Sequence, residues 1–337
     1  MENKRIGRQT VALTQPPSFL SWAAVVGHKE GQGPLRDRFD RVVTDDTLGE
    51  STWEKSETAL QKTALTLALE KATLSAEGLD CLFAGDLINQ CAPSSFAARG
   101  LRVPYFGLYG ACSTMGEALS LCAMVLDGGF GERGAVVTSS HFCTAERQYR
   151  TPLEYGGQRP PTAQWTVTGA GAAVLGRQGP GPYLTHLTTG VVTDKGITDT
   201  GNMGAAMAPA AFSTIQAHLK ETGRDPAFYD LIITGDLGSL GKELLLDLFT
   251  GEGVRLTNLE DCGCLIYDRE AQDVHCGGSG CGCSASVLTG HLLRGMTEGI
   301  WKHILFCPTG ALHSPGSAQQ GESIPAICHA LSISAEI

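Results

Sequence analysis

The residues best placed to do chemistry are Gly110-Ala111-Cys112-Ser113-Thr114, which run without a break into the apolar stretch Met115 to Leu126. Ionised, a cysteine is a strong nucleophile. Upstream, Val103 to Tyr109 reads as a short buried strand and Gly110 as the sharp turn after it, so Cys112 is expected at a strand-to-helix junction. A helix N-terminus presents unpaired N–H groups and a partial positive charge. That field favours thiolate over thiol and would equally hold an anionic ligand. The spacing leaves both readings open, beside a third in which Cys112 is a small buried residue without chemistry.

A second set of soft ligands lies late in the chain: Cys262-Gly263-Cys264 and Cys281-Gly282-Cys283, with His275-Cys276 between them. They could build a zinc site, but C-x-C is not the C-x2-C spacing that wraps two thiolates round one ion. Small residues in tight turns are the preferred reading, and no resident metal or cofactor is expected. Twelve scattered cysteines suit a reduced, intracellular chain better than a disulfide framework.

Composition bounds the rest. With 337 residues, 42% hydrophobic and 18% charged, the chain can bury one large core or two moderate ones. A net charge of −10 with no long Lys/Arg run argues against a nucleic-acid partner. No stretch approaches the ~20 apolar residues of a membrane span, and no apolar signal core follows the polar start, so a soluble cytoplasmic protein is expected.

Several elements must hold the cysteine in place. Residues 1–10 read as a frayed lead-in, Thr10 to Leu13 as a first strand, and residues 27–50 as an extended loop. Ser51-Thr52-Trp53-Glu54 reads as a capping box with the serine as cap, opening a helix to about Thr73. An internal repeat then organises the chain. Leu79-Asp80-Cys81-Leu82-Phe83-Ala84-Gly85-Asp86-Leu87 recurs as Tyr229-Asp230-Leu231-Ile232-Ile233-Thr234-Gly235-Asp236-Leu237, and Gly110 to Val137 maps onto Gly280 to Cys307. Short apolar strands alternating with longer helices imply an α/β fold of two duplicated halves, residues 1–180 with Cys112 and residues 181–337, packed about a pseudo-twofold axis. Loops at the carboxyl ends of corresponding strands should converge on one ligand site: Gly85-Asp86, Gly110 to Thr114, Ser139 to His141, Gly235-Asp236, Gly277 to Ser284 and Thr309 to His313.

A duplicated α/β half with a cysteine opening a buried helix resembles the thiolase and ketoacyl-synthase superfamily, a five-layered αβαβα fold. Seven stretches narrow the resemblance: Gly85 to Gln90, Gly107 to Thr114, Thr138 to His141, Thr144 to Gln148, Glu154 to Gln158, Met203 to Ala211 and Gly277 to Cys281. Together they are similar to the stage V sporulation protein AD family of spore-forming bacteria. The resemblance implies a sporulation role in which dipicolinic acid (pyridine-2,6-dicarboxylate), as the free acid or its calcium chelate, is bound for uptake into the developing spore. It also implies membrane proteins of the same transport system as partners, peripheral location at the forespore inner membrane through them, and a homodimer.

By that resemblance Cys112 occupies the nucleophile position. The superfamily's histidine and asparagine positions carry Gly235-Asp236 and Gly278-Ser279-Gly280 instead, which favours binding over condensation. An acyltransferase using Cys112 with His141 or His313 is the alternative. An aromatic dicarboxylate needs cations or N–H donors at both ends and an apolar slot. The expected ligand residues are Cys112, Ser140, His141, Arg147, Asp236, Ser279, Cys281 and His313. Arg150 is weighed below Arg147 as a surface charge. Asp86 and Asp236 are candidate oxygen donors to calcium, against the plainer reading that they pair with backbone N–H groups at strand ends.

Overall fold

Runs such as Cys81 to Gly85 and Leu231 to Thr234 are apolar without alternation, a pattern that requires cover on both faces of a sheet. The computed structural model describes residues 4–150 and 158–337. Glu154 to Gly157, part of one sequence motif, lie outside the described residues.

The first half comprises β1 (Thr10–Ala12), β2 (Ser18–Val26), β3 (Arg41–Val42), α1 (Trp53–Lys71), β4 (Cys81–Gly85), α2 (Ala92–Ala98), β5 (Tyr105–Leu108), α3 (Thr114–Asp127), β6 (Arg133–Ser140), α4 (Phe142–Tyr149), β7 (Trp165–Thr166) and β8 (Gly169–Gly176). The second comprises β9 (Tyr183–Thr188), α5 (Met203–Thr222), β10 (Leu231–Thr234), α6 (Gly238–Gly251), β11 (Leu259–Asp261), α7 (Cys262–Ile266), β12 (Gly278–Ser279), α8 (Cys281–Val287), α9 (Leu293–Thr297), β13 (His303–Cys307), β14 (Thr309–Ala311), α10 (Pro315–Gln319), β15 (Ala326–Cys328) and β16 (Ala330–Ser334).

The order β5-β4-β6-β8-β2 in the first half is repeated as β11-β10-β13-β16-β9 in the second. Senses match as well. β4 is parallel to β5 and β6, and β8 antiparallel to β6 and β2. Likewise β10 is parallel to β11 and β13, and β16 antiparallel to β13 and β9. The halves join where β2 meets β9 at Ser18 and Tyr183, where β1 pairs antiparallel with β9 from Thr10–Thr188 to Ala12–His186, and where β7 pairs with β12.

Alternate residues of each central strand enter different cores, as the two-residue period dictates. Leu82 and Ala84 pack with Leu60, Ala64 and Ala68 of α1. Cys81 and Phe83 instead join Met115, Leu119 and Leu126 of α3, with Cys283 and Val287 of α8. That same central core receives Leu231, Ile233, Ile304 and Phe306 from the second sheet, while Ile232 and Leu305 turn to α5 and α6. The layers are therefore α1, sheet, α3 with α8, sheet, and α5 with α6. The repeat extends to polar contacts: Asp80 Oδ2 accepts the N–H groups of Glu132 and Arg133, and Asp230 Oδ2 those of Lys302 and His303.

Four local expectations change. Thr52, not Ser51, caps α1, accepting the Lys55 N–H; Ser51 accepts from the Lys55 ammonium instead. The lead-in is tied down from Lys4, which pairs with Asp127 at 2.7 Å, and Glu221 accepts the N–H groups of Arg8, Gln9 and Thr10. Residues 27–50 bury Glu30, which accepts from the Thr168 N–H and the Tyr267 hydroxyl; burial lifts its carboxyl to about 7. Finally, β5 is a partly exposed edge strand rather than a buried one, pairing only with β4.

The central layer generates a stability prediction. Leu119→Ala, at a fully buried α3 position, should lower the unfolding free energy by about 2–5 kcal/mol. Leu121→Ala, on the 37% exposed face of the same helix, should change it by no more than about 0.5 kcal/mol. Denaturant titration of both variants checks this.

Candidate functional site

Gly110 is not the left-handed residue of the turn after β5; Ala111 is, at φ 50°. Such a conformation costs a non-glycine residue about 1–3 kcal/mol and persists only where its surroundings enforce it. Here the hydroxyls of Ser113 and Thr114 donate to the carbonyls of Gly110 and Ala111 at 2.7 and 2.6 Å, and the Gly110 N–H donates to Thr114 Oγ1. Gly110 is needed for space: a Cβ would lie 2.7 Å from Glu117 Oε2 and 2.8 Å from Ser113 Oγ. The turn holds Cys112 just ahead of α3, whose cap is Ser113.

Cys112 lies on the wall of a cavity of about 420 Å³ where both halves meet. The first half contributes Leu87, Tyr109, Ala145, Glu146, Tyr149, Arg150 and Gln164, and the second Asp199, Met203, Met207, Ser279, Ala311 and His313. Tyr109 and Tyr149 share a 3.0 Å hydroxyl contact, and Tyr149 donates to the Leu87 carbonyl. The Tyr149 ring tilts against His313 at 5.4 Å between centroids. Burial lowers the His313 pKa, so its imidazole is neutral at pH 7, and its Nδ1 has no partner.

Ser279 Oγ lies 4.0 Å from Cys112 Sγ and donates to Asp236 Oδ2 at 3.1 Å. The same oxygen accepts the Gly280 N–H at 3.0 Å, and Thr309 Oγ1 donates to Asp236 Oδ1 at 2.9 Å. Burial lifts the Asp236 carboxyl to about 6. Burial and the adjacent Asp236 charge push the Cys112 thiol well above its ordinary range. The helix terminus does not produce a thiolate here.

Cys112, Ser279 and His313 thus share the cavity wall, with Asp236 behind the first two. The other expected residues do not line the cavity. Ser140 donates to the Val167 carbonyl and accepts the Gly282 N–H. His141 is fully buried; its Nδ1 accepts the Cys143 N–H and its Nε2 donates to the Asp46 carbonyl. Cys281 donates to the Ser139 carbonyl and packs with Leu87 and Ala145 behind the wall. Arg147 pairs with Glu54 on the surface. Arg150, given less weight in the sequence, is the arginine in the cavity, paired with Glu146 at 2.6 Å.

Asp86, the repeat partner of Asp236, is saturated by the Ile88 N–H and by the N–H and hydroxyl of Ser94. Glu57 lies nearby, and burial pushes both carboxyls up. The C-G-C pairs open α7 and α8; a Cβ on Gly263 would meet the Gly278 carbonyl at 2.2 Å, and one on Gly282 the Gly169 carbonyl at 2.3 Å. Among the described residues, no group of three or more His, Cys, Asp or Glu could hold a metal ion. Sequence reasoning missed Glu146, Tyr149, Gln164 and Asp199. Glu146, Tyr149 and Arg150 fall at i, i+3 and i+4, one helical face, which was a usable signal.

The Cys112 environment predicts slow alkylation by iodoacetamide at pH 7, with a rate that still rises above pH 9. Asp236→Asn should shift that rate profile to lower pH, and mass spectrometry of the Cys112 peptide reads both.

Comparison with known proteins bears on the fold and the family separately. The chain is 14% identical to 3-oxoacyl-[acyl-carrier-protein] synthase III from Aquifex aeolicus VF5, covering 94% of this chain and 99% of that one with a TM-score of 0.56. It is also 14% identical to cerulenin-bound OleA from Xanthomonas campestris, covering 99% and 100% with a TM-score of 0.63. These likenesses establish the thiolase-like fold. Residues 7–334 match the family described as Stage V sporulation protein AD (SpoVAD). The chain is 42% identical over 327 residues to Stage V sporulation protein AD of Bacillus subtilis (strain 168), covering 97% of this chain and 96% of that protein. With the duplicated sheets and the cysteine turn in place, the chain belongs to the stage V sporulation protein AD family.

Proposed function

We propose that this sporulation protein binds dipicolinate in the Cys112 cavity and passes it to membrane partners of the same transport system, at the forespore inner membrane, for uptake into the spore. The observation that carries binding rather than condensation is the Asp236 carboxylate set against the Cys112 thiol. A condensing enzyme needs a base that withdraws the thiol proton. Here burial first, and then the Asp236 charge, favour that proton on sulfur.

The cavity suits a flat aromatic acid. Tyr109, Tyr149, Met203 and Met207 offer a slot, and Arg150 a cation for one carboxylate. If calcium travels with the ligand, the carboxylates on the cavity wall are Asp199 and Glu146, one oxygen of which is paired with Arg150; those of Asp86 and Asp236 lie off the wall and already accept hydrogen bonds inside the protein. Among the described residues no helix is long and apolar enough to cross a membrane, so delivery is assigned to partners.

We also propose a homodimer through β5. Among the described residues nothing pairs with the outer edge of this strand, and Phe106 is 51% and the adjoining Tyr109 44% exposed.

Two measurements test these readings. Calorimetric titration of dipicolinate, with and without calcium, should give saturable 1:1 binding; Arg150→Gln should weaken it by about 10- to 100-fold, the range of a charge-assisted hydrogen bond. Cys112→Ala should weaken it less. No binding heat, together with an acyl adduct on Cys112 after incubation with acyl-CoA, would replace this reading with the acyltransferase. Light scattering should report a dimer, and Phe106→Asp should convert it to monomer; a monomeric native chain defeats the β5 interface.

A further inference from the structure

We infer that the cavity takes its anionic ligand together with a proton, which Asp236 binds. This rests on the dicarboxylate reading and adds what the geometry demands of it. Asp236 follows β10 and lies directly behind Cys112 and Ser279, which form the cavity wall. A ligand carboxylate that reaches this wall is separated from the Asp236 carboxylate by a single layer of side chains.

Among the described residues no opposite charge faces Asp236 from the elements around it. The turn before α3 contributes the Cys112 thiol, β12 and the start of α8 contribute Ser279, the Gly280 N–H and the Cys283 thiol, and β14 contributes Thr309. From β11 and α7 come Asp261 and the Cys262 thiol. Asp261 adds a second negative charge, bonded to Thr234, Leu237, Gly238 and Cys264. On the other side, the Gln164 amide donates to the Asp236 carbonyl.

Two carboxylates held close together away from bulk water tend not to both stay ionised; one takes a proton. The free protein is already close to that state, because burial lifts Asp236 to about 6 without ligand. A bound anion raises it further, while Arg150 holds the ligand ionised. The step is a simple one: one solvent proton adds to the Asp236 carboxylate, and no bond of the ligand changes.

The sign follows. Where free Asp236 is ionised and bound Asp236 is protonated, affinity rises about tenfold for each unit fall in pH. Below about pH 6 the dependence flattens, because the free carboxyl is protonated too. His313 lines the same cavity and would also favour an anion on protonation, so the test must separate the two groups.

The test is calorimetric titration of the calcium-free chain with pyridine-2,6-dicarboxylate from about pH 6 to about pH 8, in two buffers of different ionisation enthalpy. The expected result is uptake of close to one proton above neutral pH by wild type and by His313→Gln, and close to none by Asp236→Asn. Asparagine can keep the Gly280 and Thr309 hydrogen bonds, and circular dichroism checks its fold. If that variant misfolds, uptake that persists in His313→Gln, Glu146→Gln and Asp199→Asn decides, because these are the other titratable carboxyl and imidazole groups on the cavity wall. Tight binding without proton uptake overturns this inference and leaves the dicarboxylate reading standing. So does uptake that survives Asp236→Asn or vanishes with His313→Gln. Absence of binding at every pH overturns both.

Discussion

The site depends on close backbone contact between the Gly110 to Ser113 turn and the β14 strand of the other half. A Cβ on Gly310 would stand 2.4 Å from the Gly110 carbonyl and 3.0 Å from the Ser113 N–H. Only glycine permits that approach. From below, a Cβ on Gly85 would strike the Leu108 carbonyl and Thr114 Cγ2, each at 2.4 Å. Pinned from both sides, the turn can hold Ala111 in a left-handed conformation and Cys112 at the seam between halves.

Two fields act on that thiol, and their sizes decide its state. A helix terminus offers about half a charge, worth roughly 0.3–1 kcal/mol at an exposed position. A full carboxylate charge beside a buried thiol outweighs half a charge at a helix end, because the interaction scales with the charge and is least screened away from water. Burial is the largest cause of the raised thiol pKa, and the Asp236 charge acts in the same direction. The cysteine turn thus sits in a thiolase-like fold with its thiol held in the protonated form.

Duplication set up this outcome without making the halves equivalent. Asp86 and Asp236 stand at the same place in the repeat, each just beyond its strand. Asp86 is enclosed by Ser94, Ile88 and Glu57, deep behind the wall. Asp236 instead reaches Ser279 and Thr309 beside the cysteine turn. The first half supplies the thiol, the tyrosines and Arg150; the second supplies the buried carboxylate and His313. Neither half alone encloses the cavity, which therefore lies at the seam.

Much of the architecture was legible along the chain. The repeat at Asp80 and Asp230, the apolar strand runs and the cysteine turn are patterns of period and composition, and these are set by neighbours in sequence. They determined the two halves, their covered sheets and the position of Cys112. The repeat marked the loops of Asp236, Ser279 and His313 as converging on the Cys112 turn, but which side chains line the wall and which stand behind it was decided by tertiary structure. Rotation about α4 was equally decisive: Arg147 and Arg150 are three residues apart in one segment, yet one pairs with Glu54 outside and the other faces the cavity. His141 shows the same limit, since a ring at a strand end can turn to solvent, ligand or interior, and here the Asp46 carbonyl and Cys143 N–H hold it inside. Local pattern specifies which elements form; only their packing specifies which side chains share a wall.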